Sequence, residues 1–216
     1  ICDWVADMHQ WEIQPDWLCY IPGIVKGIGM AINALLKQDD KIIIQPPVYH
    51  PFRLVPEHSG REVVMNPLRK VGDRYEMDFE QLESVIDEKC KILILANPHN
   101  PIGRMWSYEE LLRLAEFCDK HNLWLVEDNC DALGTQYTID GETRFSGTWG
   151  DIGTSSFYPP HHMTMGEGGC VYTNNPLLDK LIKSYRDWGR DCVCPSGKDN
   201  ICNHRFDRQF GQLPKG

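Results

Sequence analysis

The feature that most constrains this chain is a set of short, continuously apolar segments separated by amphipathic stretches. Residues 41–45 (KIIIQ), 91–95 (KILIL) and 123–127 (LWLVE) are apolar at their centres, and 62–65 (EVVM) is a shorter segment of the same kind. A strand with one wet face alternates apolar and polar residues. A strand apolar at consecutive positions must be covered on both faces, as in a parallel sheet. The stretches between them carry the helical period. Val25, Ile28, Ile32 and Leu35 share one face of 24–36, and Phe79, Leu82 and Ile86 do the same further on. Ser107 and Glu110 are spaced as a capping box ahead of Leu111, Leu112, Leu114 and Phe117. Residues 153–157 and 170–173 read as two more strands, and 176–185 as a helix that starts at Pro176. Strand–helix alternation with short connections predicts right-handed βαβ units, hence an α/β three-layer domain with a mostly parallel sheet.

A length of 216 residues suits one large domain or two small ones. Ile1 at the start and the turn-like Leu213-Pro214-Lys215-Gly216 at the end predict a large domain, residues 1–216, that is incomplete at both ends. After Trp188 the periodicity stops, so 189–216 is expected to be a cysteine-containing loop region. The net charge of −9 argues against unspecific nucleic-acid binding, which requires a basic face. The sequence has no apolar run near the roughly 20 residues of a membrane helix, nor a basic-plus-apolar leader. Nine cysteines, an odd number without framework spacing, suit reduced thiols, and the expected location is cytoplasmic.

In sheets of this kind ligands bind beyond the carboxyl ends of the strands. That directs attention to 46–49, 97–103, 128–131 and 158–162. Asp128 follows the apolar LWLVE segment, where a carboxylate is costly without a partner. It is suited to holding a protonated pyridine nitrogen, and equally to capping a helix or binding a metal. Asn97-Pro98-His99-Asn100-Pro101-Ile102-Gly103 follows KILIL, and its two Asn-Pro steps dictate an extended turn whose side-chain amides can donate to a ring oxygen. Tyr49, in Pro46-Pro47-Val48-Tyr49, can stack on a flat ring or serve as a core aromatic.

These segments carry a resemblance. From about residue 3 to 122, the pieces HQWEIQPDW, PGIV, IQPPVYHPF, NPHNPIGR and EELLRLAEFCDKHN resemble the cystathionine β-lyase branch (MalY/PatB-like) of the class I/II aminotransferases. The resemblance implies the large domain of a pyridoxal-phosphate-dependent transferase fold. Ile24 and Val25 would offer N–H groups to the cofactor phosphate at a helix start, Tyr49 would stack on the ring, and Asn100 would meet the ring oxygen. From about 125 to 216, the pieces EDNCDALG, GTWGDIGTSSFYPPHHMTMGEGG, SYRDWGRDC and RFDRQFGQLPKG resemble another branch. This is the RfbH-like CDP-4-keto-6-deoxyglucose 3-dehydrases of the DegT/DnrJ/EryC1/StrS group. The two resemblances meet near 122–125, so the chain reads as a composite of two branches that share one fold.

The second resemblance gives His161 its meaning. In this group a serine is followed five positions on by the lysine that bonds the cofactor. Ser156 is that serine here, the fifth position is His161, and no lysine lies between Lys120 and Lys180. The dehydrases have histidine there, which implies a non-covalently held pyridoxamine 5′-phosphate and an imidazole base. The implied activity is C3 dehydration of a nucleotide-linked 4-keto-6-deoxyhexose in deoxysugar or lipopolysaccharide biosynthesis. Aminotransferase or carbon–sulfur lyase chemistry and a non-catalytic fragment are the competing readings. Cys130, Cys192, Cys194 and Cys202 match the cysteines with which the dehydrases bind a [2Fe–2S] cluster, although Cys-x-Cys-x7-Cys by spacing alone suits tetrahedral zinc or free thiols as well. The implied partners are the nucleotide sugar, an electron-donating flavin or iron–sulfur reductase, and a second copy of the chain in a homodimer. Neither nucleic acid nor a membrane is expected as a partner.

Overall fold

The computed structural model describes residues 2–9, 12, 14, 15, 18–130, 132–139, 141–187, 194, 198 and 201–203. In chain order the elements are α1 (Cys2–His9), β1 (Cys19–Ile21), α2 (Ile24–Leu35), β2 (Lys41–Ile44), α3 (Pro51–His58), β3 (Glu62–Met65), β4 (Arg69–Val71), β5 (Arg74–Glu76), α4 (Phe79–Val85), β6 (Cys90–Ala96), α5 (Tyr108–His121), β7 (Trp124–Asp128), β8 (Gln136–Ile139), β9 (Glu142–Phe145), β10 (Ile152–Ser156), β11 (Gly169–Tyr172) and α6 (Pro176–Arg186). Seven strands form the central sheet in the order β1-β11-β10-β7-β6-β2-β3. From β10 to β3 neighbouring strands are parallel, and β11 is antiparallel both to β10 and to β1. The sheet is therefore mostly parallel, and the fold is three-layer α/β.

The apolar strands divide their side chains between two cores. Ile42, Ile44, Ile92, Ile94 and Val126 pack on one face with Ile28 and Ile32 of α2, Phe52 of α3, and Leu178 and Ile182 of α6. Ile43, Leu93, Leu95 and Leu125 point the other way, against Leu82 of α4 and Leu111, Leu114 and Phe117 of α5. Each such side chain contributes about 1.5–3 kcal/mol by leaving water. One polar replacement in β2 or β6 would spoil whichever core it entered. The caps set where the helices begin. Ser107 and Glu110 close the expected capping box on α5, and the Asn175 side chain caps α6 just before Pro176.

Elements without a sequence periodicity also form. β1 is only three residues long, and α3 starts at Pro51 with Pro56 inside it, so neither leaves a helical or alternating pattern. The β8–β9 hairpin pairs Ile139 with Glu142, and Gly141 before the second strand sits at φ +84°. Apart from 194, 198 and 201–203, the 189–216 region lies outside the described residues.

Candidate active site

The carboxyl ends of β2, β6, β7 and β10 lie along one edge of the sheet because these strands are parallel. Two antiparallel steps bring β1 into the same direction. Its exit through Pro22-Gly23 delivers the start of α2 to that edge. The register sets Ile21, Gly169 and Ser156 side by side. A Cβ added at Gly169 would lie 2.8 Å from the Ser155 carbonyl, 3.6 Å from Ser156 Cα and 3.7 Å from the Ile24 nitrogen. Glycine there leaves a small cradle between the Ser156 backbone and the first N–H of α2. No side chain caps α2, and its first turn holds no acidic residue. A helix start in that condition is an anion site, reinforced by the helix dipole. The Ser156 hydroxyl, nearly buried, accepts from Tyr158 N at 3.4 Å, which leaves its own proton to donate. Ile24 N and the Ser156 backbone thus lie close to one another around Gly169.

Asp128 is the last residue of β7 and only 5% exposed. The alternation of β7 turns it toward the α2 side and turns Glu127 the other way. Its Oδ1 accepts from the Thr154 hydroxyl at 3.1 Å, across the parallel pair Asp128–Thr154. Its carbonyl accepts from Asn97 N at 3.2 Å, which ties the start of the 97–103 turn to β7. Tyr49 packs edge-on against Phe52, the ring centroids 5.9 Å apart. Burial pushes the Tyr49 phenol up, and the nearby Asp128 and Cys130 push it further.

His161 sits beside the end of β10. Its Nδ1 is 3.3 Å from the Ser156 carbonyl, and its ring meets Tyr158 edge-on at 5.7 Å. A carbonyl can only accept, so this contact assigns a proton to Nδ1. Asn100 follows His99 in the turn after β6 and is exposed. Among the described residues the expected cysteine set is not brought together as a group of three or more. Cys194 and Cys202 touch, with their sulfurs 3.2 Å apart, Cys130 follows the end of β7, and Cys192 falls outside the described residues. Among the described residues no three candidate ligands are grouped as for a metal ion.

Four residues that build this edge carry no distinctive sequence signal. Thr154 orients Asp128, and Gly169 opens the cradle. Glu127, fully buried, accepts from the backbone N–H groups of Gly147 at 3.1 Å, Trp149 at 2.6 Å and Gly150 at 2.5 Å. Burial pushes its carboxyl up and the three donors pull it back. His99 is the fourth. Only its place inside the Asn-Pro turn could have drawn attention to it. A cavity of about 360 Å³ at the opposite end of the strands, near Lys91 and Asp151, contains none of these residues.

Comparison with known proteins agrees with this fold. The family model for aminotransferase class I and II matches residues 1–130, ending close to the expected junction of the two resemblances. The chain is 50% identical over 142 residues to the lipopolysaccharide biosynthesis protein RfbH of Salmonella typhimurium (strain LT2), covering 66% of this chain and 30% of that one. It is 44% identical over 137 residues to the dTDP-4-dehydro-2,6-dideoxy-D-glucose 3-dehydratase of Saccharopolyspora spinosa, covering 63% and 28%. The solved PLP-bound C-S lyase from Staphylococcus hominis superposes with a TM-score of 0.71 at 26% identity, covering 85% of this chain and 48% of that one. The matches take in about a third of the two curated relatives and about half of the solved structure.

Proposed function

Because the chain belongs to the class I and II aminotransferase family, we propose that it is the cofactor-binding part of a dehydrase. The reaction removes the C3 hydroxyl, as water, from a nucleotide-linked 4-keto-6-deoxyhexose, with pyridoxamine 5′-phosphate as cofactor. The observation that carries the reading is His161 at the fifth position after Ser156, where a lysine would bond the cofactor covalently. The similarity to a named dehydratase and to a lipopolysaccharide biosynthesis protein supports the same chemistry.

The residues present fit such a cofactor. The cradle over Gly169 would be filled by a Cβ, and the uncapped start of α2 suits a phosphate. Ile24 and Val25 N–H and the Ser156 hydroxyl would hold that phosphate. Asp128, oriented by Thr154, would pair with the ring nitrogen, Asn100 would donate to the ring oxygen, and Tyr49 would lie on the ring face. When bound, the pyridoxamine ring supplies an electron sink that makes the adjoining carbon acidic. With it bound, His161 Nε2 would take up the proton from that carbon while Nδ1–H stays on the Ser156 carbonyl, and the imidazolium would hand the proton to the leaving hydroxyl. A homodimer and an electron-donating flavin or iron–sulfur reductase belong to the same proposal. A [2Fe–2S] cluster has only the Cys194–Cys202 contact in its favour, and the proton chemistry does not depend on it.

The likeness to a PLP-bound C-S lyase supports a second reading, lyase or aminotransferase chemistry. It requires a bonding lysine, which residues 121–179 do not contain. Absorbance of the purified protein separates the two readings. The dehydrase reading expects a pyridoxamine-type spectrum and, with a nucleotide-linked 4-keto-6-deoxyhexose and a two-electron-donating reductase, a 3-deoxy product lighter by one oxygen, the hydroxyl leaving as water. A yellow chromophore reduced by borohydride in the unaltered protein would overturn it in favour of the lyase.

A further inference from the structure

We infer that His99 is a positioning residue whose one side-chain hydrogen bond sets the spacing between Tyr49 and Asn100, and with it how firmly an aromatic cofactor ring is gripped. The inference rests on the proposed function. It adds a residue that touches neither the ring nor the substrate.

The two proposed ring-contacting residues come from separate loops that follow the paired strands β2 and β6. Tyr49 ends the 46–49 turn after β2, and Asn100 lies in the 97–103 turn after β6. His99 joins the two. Its Nε2 lies 3.0 Å from the Pro47 carbonyl, 52 residues away in sequence. That oxygen can only accept, so the proton is on Nε2 and Nδ1 is bare. The side chain is 1% exposed, and Nδ1 has no hydrogen-bond partner. Burial holds the imidazole below the usual histidine value, which keeps this neutral form in place.

The loop that carries His99 is rigid at its other end. Its N–H donates to the Arg104 carbonyl at 2.7 Å, and its carbonyl accepts from Gly103 N at 2.7 Å. The ring meets Trp106 edge-on at 5.2 Å. Trp106 in turn donates Nε1–H to the Ala96 carbonyl at 3.0 Å and lies under Arg104, 4.4 Å from the guanidinium carbon. Arg104 makes two bonds to Glu110, at 2.8 and 2.9 Å, within the capping box of α5. The chain of contacts from the start of α5 to the Pro47 carbonyl leaves His99 as its last link. A bare, buried Nδ1 is a cost for a residue kept only for packing, since phenylalanine would fill the space without it. The Nε2–H bridge to the Tyr49 loop is the compensating gain.

The test compares His99→Phe with His99→Gln in the 216-residue protein. Phenylalanine keeps the volume and the Trp106 contact but removes the donor, whereas glutamine can carry an N–H to the position of Nε2. The probes are pyridoxamine 5′-phosphate, read by its fluorescence, and inorganic phosphate, read by competition. His99→Phe should bind pyridoxamine 5′-phosphate about tenfold more weakly, the net worth of one hydrogen bond. Its affinity for inorganic phosphate should be unchanged, because the α2 cradle does not touch His99. His99→Gln should recover most of the loss. Equal losses in both variants, or no loss in His99→Phe, would overturn the positioning role while leaving the proposed function intact. Failure of the unaltered protein to bind pyridoxamine 5′-phosphate would overturn both. Should His99→Phe not fold, ¹⁵N-histidine spectra of the unaltered protein decide the matter. They must show an Nε2–H tautomer that shifts when pyridoxamine 5′-phosphate binds, and a ring that does not respond refutes the inference.

Discussion

Replacing Gly153 with alanine is the most demanding test of how this edge of the sheet is packed. Gly153 sits in β10 beside Thr154, which orients Asp128. Its φ is not in the left-handed region, so any penalty must come from space rather than backbone strain. A Cβ there would lie 2.0 Å from the Gly147 carbonyl oxygen and 2.3 Å from Cε2 of Tyr172. Carbon atoms ordinarily approach to about 3.5–4.0 Å, so both overlaps exceed about 1 Å. Neither neighbour yields easily. Gly147 is tied to Glu127 through its N–H at 3.1 Å and sits at φ +84°. The Tyr172 hydroxyl is enclosed by Asn129 at 3.3 Å, Ser155 at 3.4 Å and the Thr154 carbonyl at 3.5 Å. Overpacking typically costs about 1–3 kcal/mol, and an immovable carbonyl argues for the upper end, about 3 kcal/mol. With a urea slope of about 2 kcal/mol per M, the unfolding midpoint should fall by about 1.5 M. Gly29→Ala is the control. Its Cβ would meet only Val55 Cγ1, at 3.3 Å, inside helix α2, so it should be neutral or slightly stabilising. A Gly153→Ala midpoint within experimental error of the unaltered protein would refute the close approach of β10, Gly147 and Tyr172.

Asp128→Asn should keep the fold but weaken pyridoxamine 5′-phosphate binding about ten- to a hundredfold, the worth of a hydrogen bond to a charged partner; titration by fluorescence checks it, and unchanged affinity refutes the pairing with the ring nitrogen. His161→Lys should abolish dehydration and, with added pyridoxal 5′-phosphate, yield a yellow, borohydride-reducible protein, because only the amine is missing at that position. Burial pushes both Cys118 and Cys170 up to about 12, so in the native state mass spectrometry should find them far less alkylated by iodoacetamide than the partly exposed Cys2. The folded protein holds the His99 proton less readily than the unfolded chain. That contribution to stability is intact above the unfolded histidine value of about 6.5 and is lost as pH falls toward the folded one. The gap between the unaltered protein and His99→Gln in urea midpoint should accordingly change between about pH 7 and 5.

By itself the sequence determined the layers of this protein. The centres of β2, β6 and β7 are apolar at consecutive positions, a pattern that is stable only when helices cover both faces, and the caps at Ser107 and Asn175 fixed where two of those helices start. It also pointed to the segments that carry the candidate site, because Tyr49, Asn100, Asp128 and His161 follow apolar runs and the carboxyl ends of parallel strands share one edge. The order of the strands, the capture of β1 by β11, and the meeting of Ile24 with Ser156 over Gly169 were left to the tertiary structure. So were the hydrogen bond from Thr154 that orients Asp128 and the bridge from His99 to Pro47. The physical reason is range. Periodicity and capping are written within a few residues, where one side chain's neighbours are known from spacing alone. A cradle made by an absent Cβ, or a hydrogen bond spanning 52 residues, exists only once the sheet has set distant segments side by side.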